Sequence, residues 1–147
     1  MVRSNYTTPI CTLLLCLSLS ACDKIYQGDQ LSTKEIAQIR NLGLLGTDEK
    51  IYQFYSNYRG VKGAGNFYTT KRIAHYWLYN SDRQVDFAYY IDVARINLIT
   101  HPAGDFTIPY LTIVRKDSTR FMVYVDGSES DINSFFLSYQ SHLQAGQ

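Results

Sequence analysis

From Lys50 to Val125 the chain runs in short stretches of aromatic and β-branched residues, each closed by Gly, Asn, Ser, Asp or Pro. Punctuation this frequent excludes long helices and predicts consecutive antiparallel strands. Ile51–Tyr58 is the first expected strand, and Gly60, Gly63 and Gly65 mark the turn after it. Strands over Phe67–Thr70 and Ile73–Tyr79 follow, then a turn at Asn80, Ser81 and Asp82 and a strand over Val85–Tyr90. Within Ile73–Tyr79, Ile73, His75, Trp77 and Tyr79 share one face while Ala74, Tyr76 and Leu78 share the other. Both faces are partly apolar, as in a sandwich or small barrel. Ile91–Thr100 satisfies both the helical and the strand period and is read as a turn followed by a strand. Pro102–Asp105 reads as a loop. Tyr110–Arg115 and Arg120–Val125 form the clearest hairpin, with Lys116–Thr119 as its turn. The thirteen Tyr and seven Phe supply rings that pack well on a pleated surface. At 147 residues, 46% of them hydrophobic, the chain has material for one buried core and one domain.

Two helices are expected to flank the strands. Ser32-Thr33-Lys34-Glu35 has the form of a capping box, Ile36 and Ile39 follow at helical spacing, and Gly43 and Gly46 can stop the helix. At the other end, Ile132, Phe135, Phe136, Tyr139 and Leu143 fall on one helical stripe. Ser128 or Ser130 can cap this helix, Glu129 and Asp131 complement its positive N-terminus, and Gly146 ends it. Its apolar stripe requires a surface to cover, and an open end or face of the β layer provides one.

About seven strands closed by a C-terminal amphipathic helix is the order of the pleckstrin-homology-like fold. The segment Gly65-Asn66-Phe67-Tyr68-Thr69-Thr70-Lys71-Arg72-Ile73 resembles the bacterial PH-like and GRAM-type pattern, in which a strand reading F-x-T-x-x-R-I leads directly into the next. The resemblance covers roughly Leu45 to Leu143 and leaves the helix over 32–41 outside the pattern. It implies a mainly β sandwich or barrel that works by binding through loops and sheet edges, not by catalysis.

The N-terminus carries a different signal. Ile10–Leu19 is apolar, but ten residues fall short of the roughly 20 that a helix needs to cross a bilayer core of about 30 Å. A signal-peptide core fits better. The sequence Leu19-Ser20-Ala21-Cys22 resembles the bacterial lipobox, an aliphatic residue and two small ones before the cysteine that receives the lipid. This implies cleavage between Ala21 and Cys22 and a diacylglyceryl thioether on the Cys22 sulfur. Cys11 and Cys16 would leave with the signal, so the mature chain could form no internal disulfide. Arg3 would leave too; fourteen basic residues fall to thirteen, equal to the thirteen acidic ones. Attachment must then come from the acyl chains, at about 0.8 kcal/mol per buried CH₂, and not from net charge. Asp23 resembles the signal that retains enterobacterial lipoproteins in the inner membrane, facing the periplasm. The expected organisation is a signal peptide over 1–21, an acylated N-terminus and short tether over 22–31, and a single PH-like domain over 32–147.

No motif for catalysis or cofactor binding is present. The chain has no G-x-S-x-G, no H-E-x-x-H, no G-x-x-x-x-G-K-[ST] and no paired cysteines for zinc, so no cofactor or metal is expected. The string Gly60-Val61-Lys62-Gly63-Ala64-Gly65 is followed by a strand, where a phosphate loop needs a helix. Asp126-Gly127-Ser128-Glu129-Ser130-Asp131 spaces its oxygens like a calcium loop, but Leu137 stands where the closing glutamate belongs. His75, His101 and His142 are dispersed; His75 reads as a packed ring and His142 as complementing a helix C-terminus. Arg59, Lys62, Lys71, Arg72 and Arg83 lie in a stretch whose one acidic residue is Asp82. Arg59, Lys62, Lys71 and Arg72 form the candidate binding surface, for phospholipid headgroups or an acidic protein, although Arg72 also reads as an ion-paired structural residue. A net charge of +1 argues against a nucleic-acid partner. The expected function is that of a membrane-anchored periplasmic lipoprotein with a non-enzymatic binding domain. The alternatives are an immunity protein against a periplasm-delivered toxin and an envelope hydrolase built around His75 or His101.

Overall fold

The computed structural model describes residues 25–56, 60–79, 81, 83–100 and 107–146. Five strands, β1 (Ile25–Gln27), β2 (Ile51–Tyr55), β3 (Ala64–Thr69), β4 (Arg72–Trp77) and β5 (Gln84–Tyr89), form one antiparallel sheet in sequence order. A 3-10 turn at Tyr90–Asp92 leads into the second sheet, β6 (Val93–Ile99), β7 (Tyr110–Arg115) and β8 (Arg120–Tyr124), also in sequence order. Helix α1 (Thr33–Asn41) lies between β1 and β2, and α2 (Glu129–Ala145) ends the chain. The protein is mainly β, with two antiparallel sheets, a short N-terminal helix and a C-terminal amphipathic helix, as the patterning predicts.

The two apolar faces of the first sheet serve two cores. On its inner face Tyr55, Tyr68, Ile73 and Ala88 meet Leu111, Ile113, Phe121 and Val123 of the second sheet and Ile132, Phe135, Tyr139 and Leu143 of α2. The C-terminal stripe therefore closes the inner core, and its uncapped N–H groups are satisfied by Ser128, whose Oγ accepts from the Asp131 N–H at 3.2 Å. On the outer face Phe54, Phe67, Ala74 and Tyr76 are covered by Ile39 of α1 and by Leu44 and Leu45 beyond it. Helix α1 has the expected capping box, the Glu35 carboxylate accepting from the Ser32 N–H at 2.8 Å.

Four boundaries differ from the sequence reading. Residues 25–31 are not all tether: Ile25, Tyr26 and Gln27 pair with Tyr55, Phe54 and Gln53, so the sheet includes residues before 32. Edge pairing with β2 supplies the backbone partners that periodicity in three residues could not reveal. Gly65 lies inside β3, not in the turn, because the rings of Phe54 and Tyr76 fill the space a side chain would need; a Cβ there would lie 2.5 Å and 2.4 Å from them. Strand β2 ends at Tyr55, and Asn57 and Tyr58 of the expected strand lie outside the described residues. Strand β4 ends at Trp77; the Leu78 N–H still bonds the Gly63 carbonyl at 2.8 Å, but the Gly63 N–H is turned to the Gly60 carbonyl at 3.1 Å, so the ladder stops there.

Candidate functional site

Strand register separates the basic residues into two ends of the first sheet. Ala64, Trp77 and Gln84 lie level across β3, β4 and β5, which brings Lys62 and Arg83 to one end. Lys71 occupies the turn from β3 to β4 at the other end, six strand residues away, about 20 Å. Lys62 and Lys71 are both exposed, but they cannot contact one small ligand together. Arg59 lies outside the described residues, as do Cys22, Ala21, Asp23 and His101.

Arg72 does not belong to any exposed surface. As the first residue of β4 it points to the outer face, where the segment after α1 covers it, and only 6% of it is exposed. Its Nη2 donates to Glu49 Oε2 at 2.6 Å, its Nε to Oε1 at 2.8 Å and its Nη1 to the Gly43 carbonyl at 3.3 Å. The guanidinium also stacks over the rings of Phe87 and Tyr89, 4.8 and 4.4 Å from their centroids. Burial pushes the Glu49 carboxyl pKa up, but the Arg72 hydrogen bonds and charge, with the Gly46 N–H and the Thr69 hydroxyl, outweigh it and hold the group below 4.5. The structure thus takes Arg72 out of the candidate binding surface and makes it the clamp that ties residues 43–49 to the sheet. Glu49 itself gave no signal in the sequence, because its role depends on a partner 23 residues later.

A second polar cluster lies between the sheets. The Asn66 carboxamide oxygen accepts from the Tyr124 N–H and from His75 Nδ1, both at 2.8 Å, which places a proton on Nδ1. Next to it Arg115 donates to Asp86 at 3.2 Å and to the Phe87 carbonyl at 2.8 Å, covering the open edge of β5. His75 is 4% exposed, and burial, offset in part by the Asp86 charge, lowers its pKa to about 4. A ring so enclosed cannot reach a solvent-borne substrate; it joins the sheets. His142 bonds through Nδ1 to the Ser138 carbonyl at 2.7 Å and packs on the Tyr52 ring, 4.0 Å between centroids.

Among the described residues, the features open to a partner are a shallow notch and the two ends of the first sheet. The notch lined by Leu98, Pro109, Leu111, Val125, Ile132 and Phe135 has ≈ 160 Å³ of empty space, part of it open to solvent, below the roughly 300 Å³ at which small-molecule sites begin. At the Lys62 end, Trp77 and Tyr79 meet edge to face at 5.0 Å, and the Tyr79 ring occupies the space above Gly63. Helix α1 fixes this end: Gln38 Nε2 donates to the carbonyls of Val61 and Lys62, each at 3.1 Å. At the Lys71 end, the turn after β5 presents Ile91, which is 63% exposed.

The architecture is similar to that of a DUF1696 family protein with a pleckstrin-homology domain from Shewanella loihica PV-4. Its crystal structure matches with a TM-score of 0.50 over 78% of this chain and 92% of that one, at 14% sequence identity. The likeness shows a PH-like fold. No protein-family model and no curated protein matches the chain.

Proposed function

We propose that the chain is a lipoprotein of the bacterial envelope, acylated at Cys22, whose PH-like domain binds and does not catalyse. The observation that carries this reading is the motif Leu19-Ser20-Ala21-Cys22 placed three residues before the first strand of a folded domain. The PH-like fold supports binding, since the exposed features among the described residues are ends of sheets. Asp23 favours the inner membrane, with the domain in the periplasm. Lys71 and Ile91 then lie at the end away from the anchor, where a periplasmic protein would meet the domain.

The test is Cys22→Ala in the full-length protein, followed by membrane fractionation and mass measurement. The native chain is expected in the membrane fraction with a diacylglyceryl group on a mature chain starting at Cys22. The variant is expected to lose both the lipid and its processing. A variant that is cleaved normally and stays membrane-bound overturns the assignment.

A further inference from the structure

The direction of β1 fixes how an anchored domain must sit. Ile25 pairs with Tyr55, Tyr55 with Asn66, and Asn66 with His75, so Ile25 stands two residues in from the end of the sheet that carries Ala64, Trp77 and Gln84. Because β1 runs from Tyr55 toward Gln53, its N-terminal end faces this same end of the sheet. Three residue steps separate Ile25 from Cys22, a reach of at most about 11 Å. The headgroup layer on each side of a bilayer is itself roughly 5–7 Å deep, the difference between a total thickness of about 40–45 Å and a core of about 30 Å. About 7 Å of that reach is spent in passing the two residues between Ile25 and the sheet end, so an acylated Cys22 at the base of the layer brings this end into the headgroups.

We infer that the end of the first sheet formed by Trp77, Tyr79, Lys62 and Arg83 rests against phospholipid headgroups, so that the Lys71 and Ile91 end points away from the membrane. This inference rests on the lipid-anchor reading above. The side chains suit the location. Trp and Tyr rings favour the membrane–water interface, where a flat apolar body and a polar edge are both satisfied. Lys62 and Arg83 are exposed and can meet phosphate oxygens. Asp126 stands beside Tyr55 at the same end, and residues 22–147 carry equal numbers of basic and acidic groups. Long-range attraction is therefore weak, and the short tether does the seating by holding the surface at high local concentration. The two cations select which side of that end turns toward the lipid.

Trp77 is the single tryptophan of the chain, so its fluorescence reports on this end alone. The experiment places the acylated protein in phosphatidylethanolamine–phosphatidylglycerol vesicles containing lipids with a bromine or nitroxide quencher near the headgroup. A parallel sample couples residues 22–147, whose one thiol is Cys22, to a maleimide lipid in the same vesicles. Trp77 emission should fall at least twofold in both, and less when Lys62→Glu and Arg83→Glu are combined. A reporter moved to the far end by Trp77→Phe with Ile91→Trp should keep its emission. Trp77 emission equal to that of unanchored Cys22→Ala protein, or equal quenching of the far reporter, overturns the orientation. Quenching in the maleimide-coupled sample, together with a native chain that carries no lipid, would refute the anchor and leave the seating intact. Acylation without quenching would do the reverse.

Discussion

Arg72 and Lys71 are neighbours in the sequence, and one step of strand geometry gives them opposite fates. Lys71 is the exposed turn residue, while Arg72 is the first residue of β4, turned onto the outer face and closed in by Glu49 and the rings of Phe87 and Tyr89. Removing one partner of a buried pair leaves the other charge desolvated, a cost of about 3–5 kcal/mol. Arg72→Met should therefore lower the unfolding free energy read from denaturant curves by about that amount, and adding Glu49→Gln should recover part of the loss, because the second change removes the stranded charge. An Arg72→Met protein as stable as the native one would refute the clamp. Because the folded state holds the Glu49 pKa below 4.5, the pair's contribution is present above that value and is lost as pH falls through the folded pKa. The positive charge at 72 was legible in the sequence, but its pairing was not. Glu49 lies in a loop with no periodicity of its own, and only the fold of that loop over the sheet brings the two together.

Helix α2 shows how an element's role can be read from its own residues. Its stripe, cap and end follow from local spacing, and the structure buries Ile132, Phe135, Tyr139 and Leu143 as the stripe requires. At about 1.5–3 kcal/mol for each fully buried side chain, four of them contribute on the order of 6–12 kcal/mol, comparable with the roughly 5–15 kcal/mol that holds a whole domain. Deleting residues from Asp131 onward should therefore produce aggregation and loss of a cooperative melting transition. Phe135→Ala should remain folded but be destabilised by about 3–5 kcal/mol, read from denaturant curves. A soluble truncated protein with an unchanged melting temperature would contradict the packing. Strand β1 shows the opposite case. Three residues carry no usable period, and Ile25–Gln27 became a strand because β2 had a free edge beside it.

At the scale of the whole molecule, the union of the two sheets runs through a buried histidine. His75 and Asn66 from the first sheet hold the backbone of Tyr124 in the second, and Asp86 and Arg115 cross between them nearby. The His75 pKa falls to about 4 in the folded state from an ordinary 6.5. Between those values the unfolded chain takes up the proton and the folded chain does not, so stability declines as pH falls from 6.5 to 4, in total by on the order of 3 kcal/mol. His75→Gln, which can still donate to Asn66, should lose less stability than the native protein over that interval in denaturant titrations at each pH. Equal losses would show that His75 is not the titrating group. The sequence by itself determined the β class, the hairpin over 110–125 and both capped helices, since each depends on spacing within one segment. Only the tertiary structure decided that β1 joins the sheet, that Arg72 is buried, and that Lys62 and Lys71 stand at opposite ends. These outcomes depend on register between strands and on which loop covers which face, and both are set by contacts between residues far apart in the chain.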